Sequence, residues 1–340
     1  MDIRNTRSLK TFAAERLETA REEKKIVLIY AGLIIGLAAL TTVLRYVLGL
    51  QISQSGGLSN LGTRSILSTV QTMLPLVQSL VVMCLELGYM AAMLRVARGQ
   101  YVSPQTLRLG FDRFWPLLRC CVLQGLIYAG LAIGSVYLAS MIFVMSPWGQ
   151  PFMTVLAPLM TETSVLSPEL LLDEAVYYEL LSTMMPLMVI LVIVFCVFAL
   201  PISYRFRMAN YVIIDKPALG AFAALRESRK MMRGNCLRLL KLDISFWWYH
   251  LLLLGASLVG DGDQWLALLG VELPFSADVA YFLFYALYLA LTFGVYYLLR
   301  NRVEVAYGLA YDAVKPEEKK DSGVVLGNIF DMYKDYKGEQ

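Results

Sequence analysis

The sequence has few charged residues and only one histidine. Charged side chains make up 17% of its 340 residues and apolar side chains 58%, whereas soluble domains carry about 25% charged residues. So little polar surface cannot cover a soluble body of this length, and we interpret the chain as a membrane protein. The single histidine, His250, also excludes any metal site or metalloprotease motif that needs two or more histidines.

Six apolar runs are long enough to cross a membrane. About 20 apolar residues in a helix span the ~30 Å of the hydrocarbon layer. We therefore predict an all-α, polytopic membrane protein with six transmembrane helices, at Ile26–Leu48, Ile66–Leu94, Pro116–Met145, Met184–Ser203, Leu242–Val259 and Val279–Leu299.

The basic residues lie on one side of this arrangement. All but Arg45 and Arg64 of the 30 lysines and arginines fall in residues 1–25, 95–119, 205–241 and 300–340. The two remaining long connections, 146–183 and 260–278, carry acidic residues and no lysine or arginine. By the positive-inside rule both termini are cytoplasmic. The segment 146–183 would then lie outside, where we consider it a candidate lid.

The five cysteines do not indicate a site. All of them fall within predicted spans or on the cytoplasmic side, so we expect no disulfide outside the cell. No pair has the spacing of metal ligands, and we predict neither a metal site nor a cofactor.

Three cytoplasmic segments read as amphipathic helices that lie on the membrane surface. The first occupies residues 1–25, with an apolar face flanked by basic residues. The second begins at Ser103-Pro104, an N-cap followed by a proline at the first helical position. The third, Pro217–Arg233, follows Asp215 and ends at Gly234. The apolar faces consist of Leu9, Phe12, Ala13, Leu17 and Ala20 in the first, Leu107, Phe111 and Phe114 in the second, and Phe222, Leu225 and Met232 in the third.

Each surface helix precedes a membrane span, which suggests a repeated organisation. A membrane domain at 26–300 would follow the helix at 1–25 and precede a cytoplasmic tail at 301–340. The helix at 1–25 and the membrane domain together would consist of three hairpin units at 1–94, 95–207 and 208–300. These units share a pattern of hydropathy and charge, although their residue identity is poor.

Residues 210–246, NYVIIDKPALGAFAALRESRKMMRGNCLRLLKLDISF, carry a family resemblance. They resemble the signature of the bacterial integral membrane proteins called domain of unknown function 975. That family has a tyrosine-rich span end, an Asp-x-Pro, a Glu-Ser-x-x-Met-Met-x-Gly-Asn helix and an aspartate in the next span. The matching residues are Tyr204, Tyr211, Asp215, Pro217, Glu227, Ser228, Met231, Met232, Gly234, Asn235 and Asp243.

The resemblance has a departure and a more distant parallel. Arg205 and Arg207 stand where the family usually has small or hydroxyl residues. The layout is also similar to the membrane domain of some glycerophosphodiester phosphodiesterases, but no catalytic domain of that kind is present. The resemblance implies a multi-pass protein of the bacterial plasma membrane and brings no established activity.

Three polar residues within the predicted spans are candidate site residues. Glu86 lies about two turns inside the second span, where facing lipid would cost about 2.5–3.5 kcal/mol, so we expect it to face other helices. Its partner would be Arg95, Arg205 or another inner-leaflet residue, and a proton relay is the alternative. His250 is interpreted as a neutral imidazole bonded across helices, and Asp243 as a cap or as the ion-pair partner of Lys241 or Arg238.

The basic face of the third surface helix indicates lipid headgroups as partners. Arg226, Arg229, Lys230 and Arg233 lie next to a span on the side where anionic lipid contributes ~1 kcal/mol per basic residue. Membrane contact is favoured over nucleic acid for this reason. A membrane-protein partner or a second copy of the chain remains open.

Three functions are compatible with these residues. We favour a non-enzymatic membrane protein that binds lipid or a partner or assists substrate passage, because no catalytic constellation is present. A proton- or ion-coupled transporter using Glu86 and His250 is the first alternative. An intramembrane enzyme acting on lipid is the second, and it would need Glu86, Asp243 and Glu227 to converge.

The topology can be tested with fused reporters. A reporter that works only outside the cytoplasm should be active after residue 165 or 268, and a cytoplasmic reporter after residue 225, because the basic segments stay inside. Enzyme assays on intact cells measure both. Cytoplasmic activity from the fusion at 165 would overturn the predicted orientation.

Overall fold

The described part of the chain is helical throughout. The structure, a computed structural model, describes residues 6–20, 22–54, 61–154, 174–271 and 274–315, and contains no strand among them. The helices are α1 (Thr6–Thr19), α2 (Glu23–Gln54), α3 (Leu61–Ala97), α4 (Leu109–Asp112), α5 (Phe114–Met145), α6 (Glu174–Phe206), α7 (Ala209–Asp215), α8 (Ala221–Met232), α9 (Cys236–Ser245), α10 (Trp247–Gly260), α11 (Gly262–Leu268), α12 (Ala277–Val295) and α13 (Asn301–Val314).

Five helices are long and apolar enough to cross a membrane. They are α2, α3, α5, the run α6–α7, and the run α12–α13, in which a π-helical turn at Tyr296–Arg300 joins the two helices without a break. A sixth is present if the bent pair α9–α10 is taken as one span. The prediction of an all-α, multi-pass membrane protein is confirmed at this level. Most of the candidate lid at 146–183 lies outside the described residues.

The fifth predicted span, Leu242–Val259, is divided between two helices, α9 and α10. The chain bends by 59° between α9 and α10. The Ser245 hydroxyl donates to the Leu242 carbonyl at 2.7 Å, and the Lys10 ammonium donates to the Ser245 carbonyl, so side chains satisfy the end of α9. The 14 residues of α10 extend only about 21 Å, less than the hydrocarbon thickness.

Consecutive long helices pack as hairpins, but the buried core lies at one end of them. Helix α2 packs on α3, α5 on α6, and α10 on α12. The core joins α1, the C-terminal part of α3, and α7, α8, α9 and α13. This is the end where the basic segments lie, so the surface helices are part of the protein core.

The apolar faces predicted for lipid are therefore mostly wrong. Leu9, Ala13 and Leu17 of α1 are buried against protein, as are Leu225 and Met232 of α8. Phe222 is exposed and remains available to lipid. An apolar helical stripe does not distinguish a protein partner from a membrane, because both offer the same hydrophobic gain.

The second surface helix is shorter than predicted and is held by two glycines. Pro104–Arg108 forms a 3₁₀ turn that leads into α4, and Ser103 makes no capping bond through its side chain. A Cβ atom on Gly110 would lie 1.7 Å from the carbonyl oxygen of Cys84. A Cβ atom on Gly88 would lie 2.1 Å from the carbonyl oxygen of Leu107. Backbone therefore touches backbone on both sides of this contact.

Replacing Gly110 should destabilise the fold. In Gly110→Ala the added methyl meets the α3 backbone, which cannot move as a side chain does, so we expect a loss of about 1–3 kcal/mol. Thermal unfolding of purified protein, followed by tryptophan fluorescence, measures it. Gly125→Ala is the control because nothing lies within 4 Å of that Cβ. Equal stability of the two variants would contradict the close contact.

Candidate functional site

Polar side chains line the contact between the run α6–α7 and the last helix. Tyr204, Arg207, Tyr211 and Asp215 recur at helical spacing along one chain segment, and Arg300, Glu304, Tyr307 and Tyr311 along the other. We call these eight residues, together with Asp243, the polar seam. Its contacts form three centres, around Arg300, Asp243 and Asp215.

The first centre holds a buried arginine among aromatic rings. Arg300 is 9% exposed, and its Nη2 lies 3.2 Å from Glu86 Oε1. Its guanidinium lies 4.5–5.5 Å from the ring centres of Tyr30, Tyr89 and Tyr296. These distances are typical of cation–π contacts. The rings compensate part of the charge that Glu86, itself half-exposed, cannot neutralise alone.

The same centre contains polar atoms without partners. Tyr30 and Tyr89 stack with their centroids 4.2 Å apart. Their hydroxyls and the Arg300 Nε are buried and have no hydrogen-bond partner among the described residues. Arg300 is the last residue of the π-helical turn, and such turns occur frequently at functional sites.

The second centre gathers three donors on Asp243. Arg207 Nη1 lies 2.9 Å from Asp243 Oδ2, and the hydroxyls of Tyr204 and Tyr307 donate to the same carboxylate. The Arg207 guanidinium lies 4.6 Å from the centre of the Tyr307 ring. Three donors fully satisfy a largely buried carboxylate. Asp243 thus ties α9 to the last helix.

The third centre joins the ends of three helices. Asp215 accepts from Arg98 at 2.9 Å, from Lys315 at 2.6 Å and from the Tyr311 hydroxyl at 3.2 Å. Arg98 also pairs with Asp312 at 2.7 Å. The hydrogen bonds that Arg98 donates to Asp312 and, with a smaller effect, to Asp215 raise the pKa of Arg98, so this cation stays charged.

A tyrosine and a glutamate connect the three centres. Tyr211 stacks on Tyr311 with centroids 5.3 Å apart, and its hydroxyl donates to Glu304 at 3.3 Å. Glu304 lies one helical turn from Arg300 and within electrostatic reach of Arg207. The seam is therefore continuous from Arg300 to Lys315.

The candidate residues within the spans are not brought together. Glu86 pairs with Arg300, and not with Arg95 or Arg205. Lys241 and Arg238 were predicted to pair with Asp243, and this prediction is wrong. The Asp243 carboxylate instead accepts from Arg207, Tyr204 and Tyr307.

His250 is exposed, with its ring edge-on to Tyr249 at 5.2 Å, and the predicted bond across helices is not formed with any residue that the structure describes. Glu227 lies 3.6 Å from Lys216, apart from both other carboxylates.

The remaining motif residues shape the crossing between α7 and α9. Ser228 is fully buried and donates to the Arg205 carbonyl at 2.9 Å. The Asn235 amide donates to the Met231 carbonyl at 2.9 Å and accepts from Arg238 at 2.8 Å. Gly234 has a φ of 83°, which is the left-handed conformation expected of a helix-ending glycine.

Asp215 and Pro217 differ from the prediction. Asp215 ends α7 and does not cap the next helix, which begins at Ala221 after Gly220 and not at Pro217. The Pro217 carbonyl accepts from Arg113 at 3.1 Å. Ion pairs to Arg98 and Lys315 determine the place of Asp215, and these partners lie too far along the sequence for a local pattern to indicate them.

The half of the seam that lies on the last helix was not predicted from the sequence. The spacing of Arg300, Glu304, Tyr307 and Tyr311 is a signal, since charged and hydroxyl groups on one face of an apolar helix indicate a protein contact. Arg300 was placed at the end of the membrane domain and the other three residues in the tail. Tyr30, Tyr89 and Arg98 carry no comparable local pattern.

An apolar groove lies beside the seam, between α5 and α8. Its volume is about 480 Å³. Helix α5 contributes Leu123, Leu126 and Ile127, and the groove is completed by Phe206, Phe222, Leu225, Arg226 and Arg229. Arg226, Arg229, Lys230 and Arg233 are all exposed, and only the first two line the groove. The apolar lining residues could contact an acyl chain, and the two arginines could bind an anionic headgroup.

The long apolar helices and buried polar seam define a multi-pass α-helical membrane protein. The chain belongs to the DUF975 family, whose description is protein of unknown function and whose sequence model matches residues 1–304. The predicted family membership is confirmed. No curated protein and no solved structure matches the chain. The similarity to the membrane domain of glycerophosphodiester phosphodiesterases remains a prediction.

The Glu86–Arg300 pair can be tested by exchanging its charges. Glu86→Lys should prevent accumulation of folded protein, because it places a second cation beside buried Arg300, whereas Glu86→Gln should reduce accumulation less, because it removes the counter-charge without adding a cation. The double variant Glu86→Lys with Arg300→Glu should recover part of the loss. Size-exclusion chromatography of a fluorescent fusion measures folded protein. Accumulation of the Lys variant at the wild-type level would show that the pair does not stabilise the fold.

Proposed function

We propose that this protein is a non-enzymatic component of the bacterial plasma membrane that binds anionic phospholipid of the cytoplasmic leaflet. The groove between α5 and α8 carries the proposal. Its walls are apolar, and both of its charged lining residues, Arg226 and Arg229, are cationic.

The walls of the groove suit an acyl chain. Leu126 is 65% exposed on α5 and Phe222 73% exposed on α8. Both would face hydrocarbon if α5 spans the membrane, so a lipid chain would bury them as the bilayer does. An open groove of this kind needs no closed binding chamber, and its occupant can enter laterally.

The two arginines suit a phosphate. They stand three residues apart on one helix, so their side chains lie on one face. Guanidinium groups form paired, charge-assisted hydrogen bonds with phosphate oxygens. The basic segment 205–241 that contains them lies, by the positive-inside rule, on the side where anionic lipid is concentrated.

The two alternative functions have less support. A relay through Glu86 and His250 needs both residues at one cavity, but His250 is exposed beside Tyr249 and Glu86 pairs with Arg300. An enzyme using Glu86, Asp243 and Glu227 needs them to converge. Each instead has its own partner, Arg300, Arg207 and Lys216 respectively.

Removing the two groove arginines should weaken anionic lipid binding. We expect the double variant Arg226→Gln, Arg229→Gln to bind phosphatidylglycerol about thirtyfold less tightly, because each arginine contributes ~1 kcal/mol to a phosphate contact and the two together about 2 kcal/mol. Native mass spectrometry of purified protein titrated with dioleoyl phosphatidylglycerol measures the affinity.

The control is a charge-matched variant of the same helix region. Lys230→Gln, Arg233→Gln removes the same charge from exposed positions that do not line the groove. It should lose only the smaller, long-range part of the attraction. If both variants lose affinity equally, the binding depends on general surface charge and the groove is not the site.

A further inference from the structure

We propose a second phospholipid site, for phosphatidylethanolamine, in the cavity between α1, the start of α2 and the π-helical turn of the last helix. The cavity has a volume of about 570 Å³. It shares no lining residue with the α5–α8 groove. The inference therefore does not depend on the proposed anionic-lipid function.

The charges of this cavity differ from those of the groove. Its lining includes the carboxylates of Glu18 and Glu23 and the cations of Lys24 and Arg302. Two negative and two positive groups give no net charge, whereas the groove carries two arginines only. A zwitterionic headgroup, with an ammonium and a phosphate, complements such a mixed set.

A buried carboxylate lies in the wall of the cavity. Glu23 and Asn301 are each 7% exposed, and the Asn301 amide donates to Glu23 Oε2 at 3.3 Å. Lys24 and Arg302 act on Glu23 through space, without an ion pair among the described residues. A carboxylate this deeply buried is ordinarily compensated by a cation. Neither of these two cations forms that direct contact with Glu23.

An unsatisfied atom lies beside this carboxylate. The Asn301 Oδ1 is buried and has no hydrogen-bond partner among the described residues. It is an acceptor, as is the carboxylate of Glu23. Buried acceptors are normally paired, so Asn301 Oδ1 calls for a donor, and the adjacent carboxylate of Glu23 favours a donor that carries positive charge. The primary ammonium of phosphatidylethanolamine offers three N–H groups.

The other groups of the cavity fit the rest of that lipid. Lys24 and Arg302 are exposed and can receive the phosphate. Leu298 is 64% exposed at the π-helical turn and provides an apolar surface toward the membrane. Phosphatidylcholine has the same net charge, but its quaternary ammonium cannot donate a hydrogen bond. Phosphatidylglycerol lacks the cation altogether.

Lipid selectivity tests the proposal. Purified full-length protein, stripped of lipid in detergent, is titrated with dioleoyl phosphatidylethanolamine, phosphatidylcholine or phosphatidylglycerol and examined by native mass spectrometry. We expect phosphatidylethanolamine to bind about tenfold more tightly than phosphatidylcholine, since hydrogen bonds to charged groups are worth about 1.5–3 kcal/mol. Glu18→Gln with Glu23→Gln should abolish this preference.

Two further variants keep the test decisive. If the Glu23 variant does not fold, Glu18→Gln removes the other carboxylate of the cavity, keeps the cations that bind the phosphate of both lipids, and changes an exposed residue only. It should reduce the preference at least threefold, about 0.7 kcal/mol. Arg226→Gln with Arg229→Gln should retain the preference while losing phosphatidylglycerol. Equal affinity of the wild type for the two zwitterionic lipids, or an unchanged preference in the exposed-residue variant, would overturn the proposal.

Discussion

The burial of Arg300 is the constraint on which this arrangement depends. A guanidinium removed from water needs a negative charge nearby and acceptors for its N–H groups, or the folded state loses several kcal/mol. Glu86 on α3 and the rings of Tyr30, Tyr89 and Tyr296 supply these contacts. Because they come from three separate helices, satisfying one charge determines where α2, α3 and the last helix meet. The Asp243 and Asp215 centres extend the same requirement to α6, α7 and α9.

This requirement explains why the helices are joined mainly at one end. The most apolar part of α3 is 61% buried, whereas those of the other four long helices are only 6–28% buried. Hydrocarbon gives no hydrophobic reason for apolar helices to associate, so away from the seam their association rests on packing alone. The arrangement of the helices is therefore determined mainly by three kinds of contact. These are the polar pairs of the seam, the core formed with the surface helices, and the glycine contact at Gly88 and Gly110.

The sequence predicts those features that depend on composition along a single helix. Five predicted spans fall within long apolar helices, and Gly234 has the conformation that its position predicts. The seam was not predictable in this way, because Glu86 and Arg300 are 214 residues apart and no local period connects them. The bend after Ser245 was missed for a similar reason, since Lys10 at the other end of the chain completes it. The lipid-facing assignment of Leu225 failed because apolarity does not specify what covers a residue.

The division between buried and exposed charge separates structural residues from candidate ligand-binding residues. Charges of the seam already have partners within the protein, so a ligand would have to displace an ion pair to use them. Arg226 and Arg229 are exposed at an apolar groove, and Glu23 is buried against an amide without an ion pair among the described residues. We propose that a lipid phosphate binds the two arginines and that a lipid ammonium binds beside Glu23. Since neither place shares residues with the seam, ligand binding there leaves the contacts that hold the helices together intact.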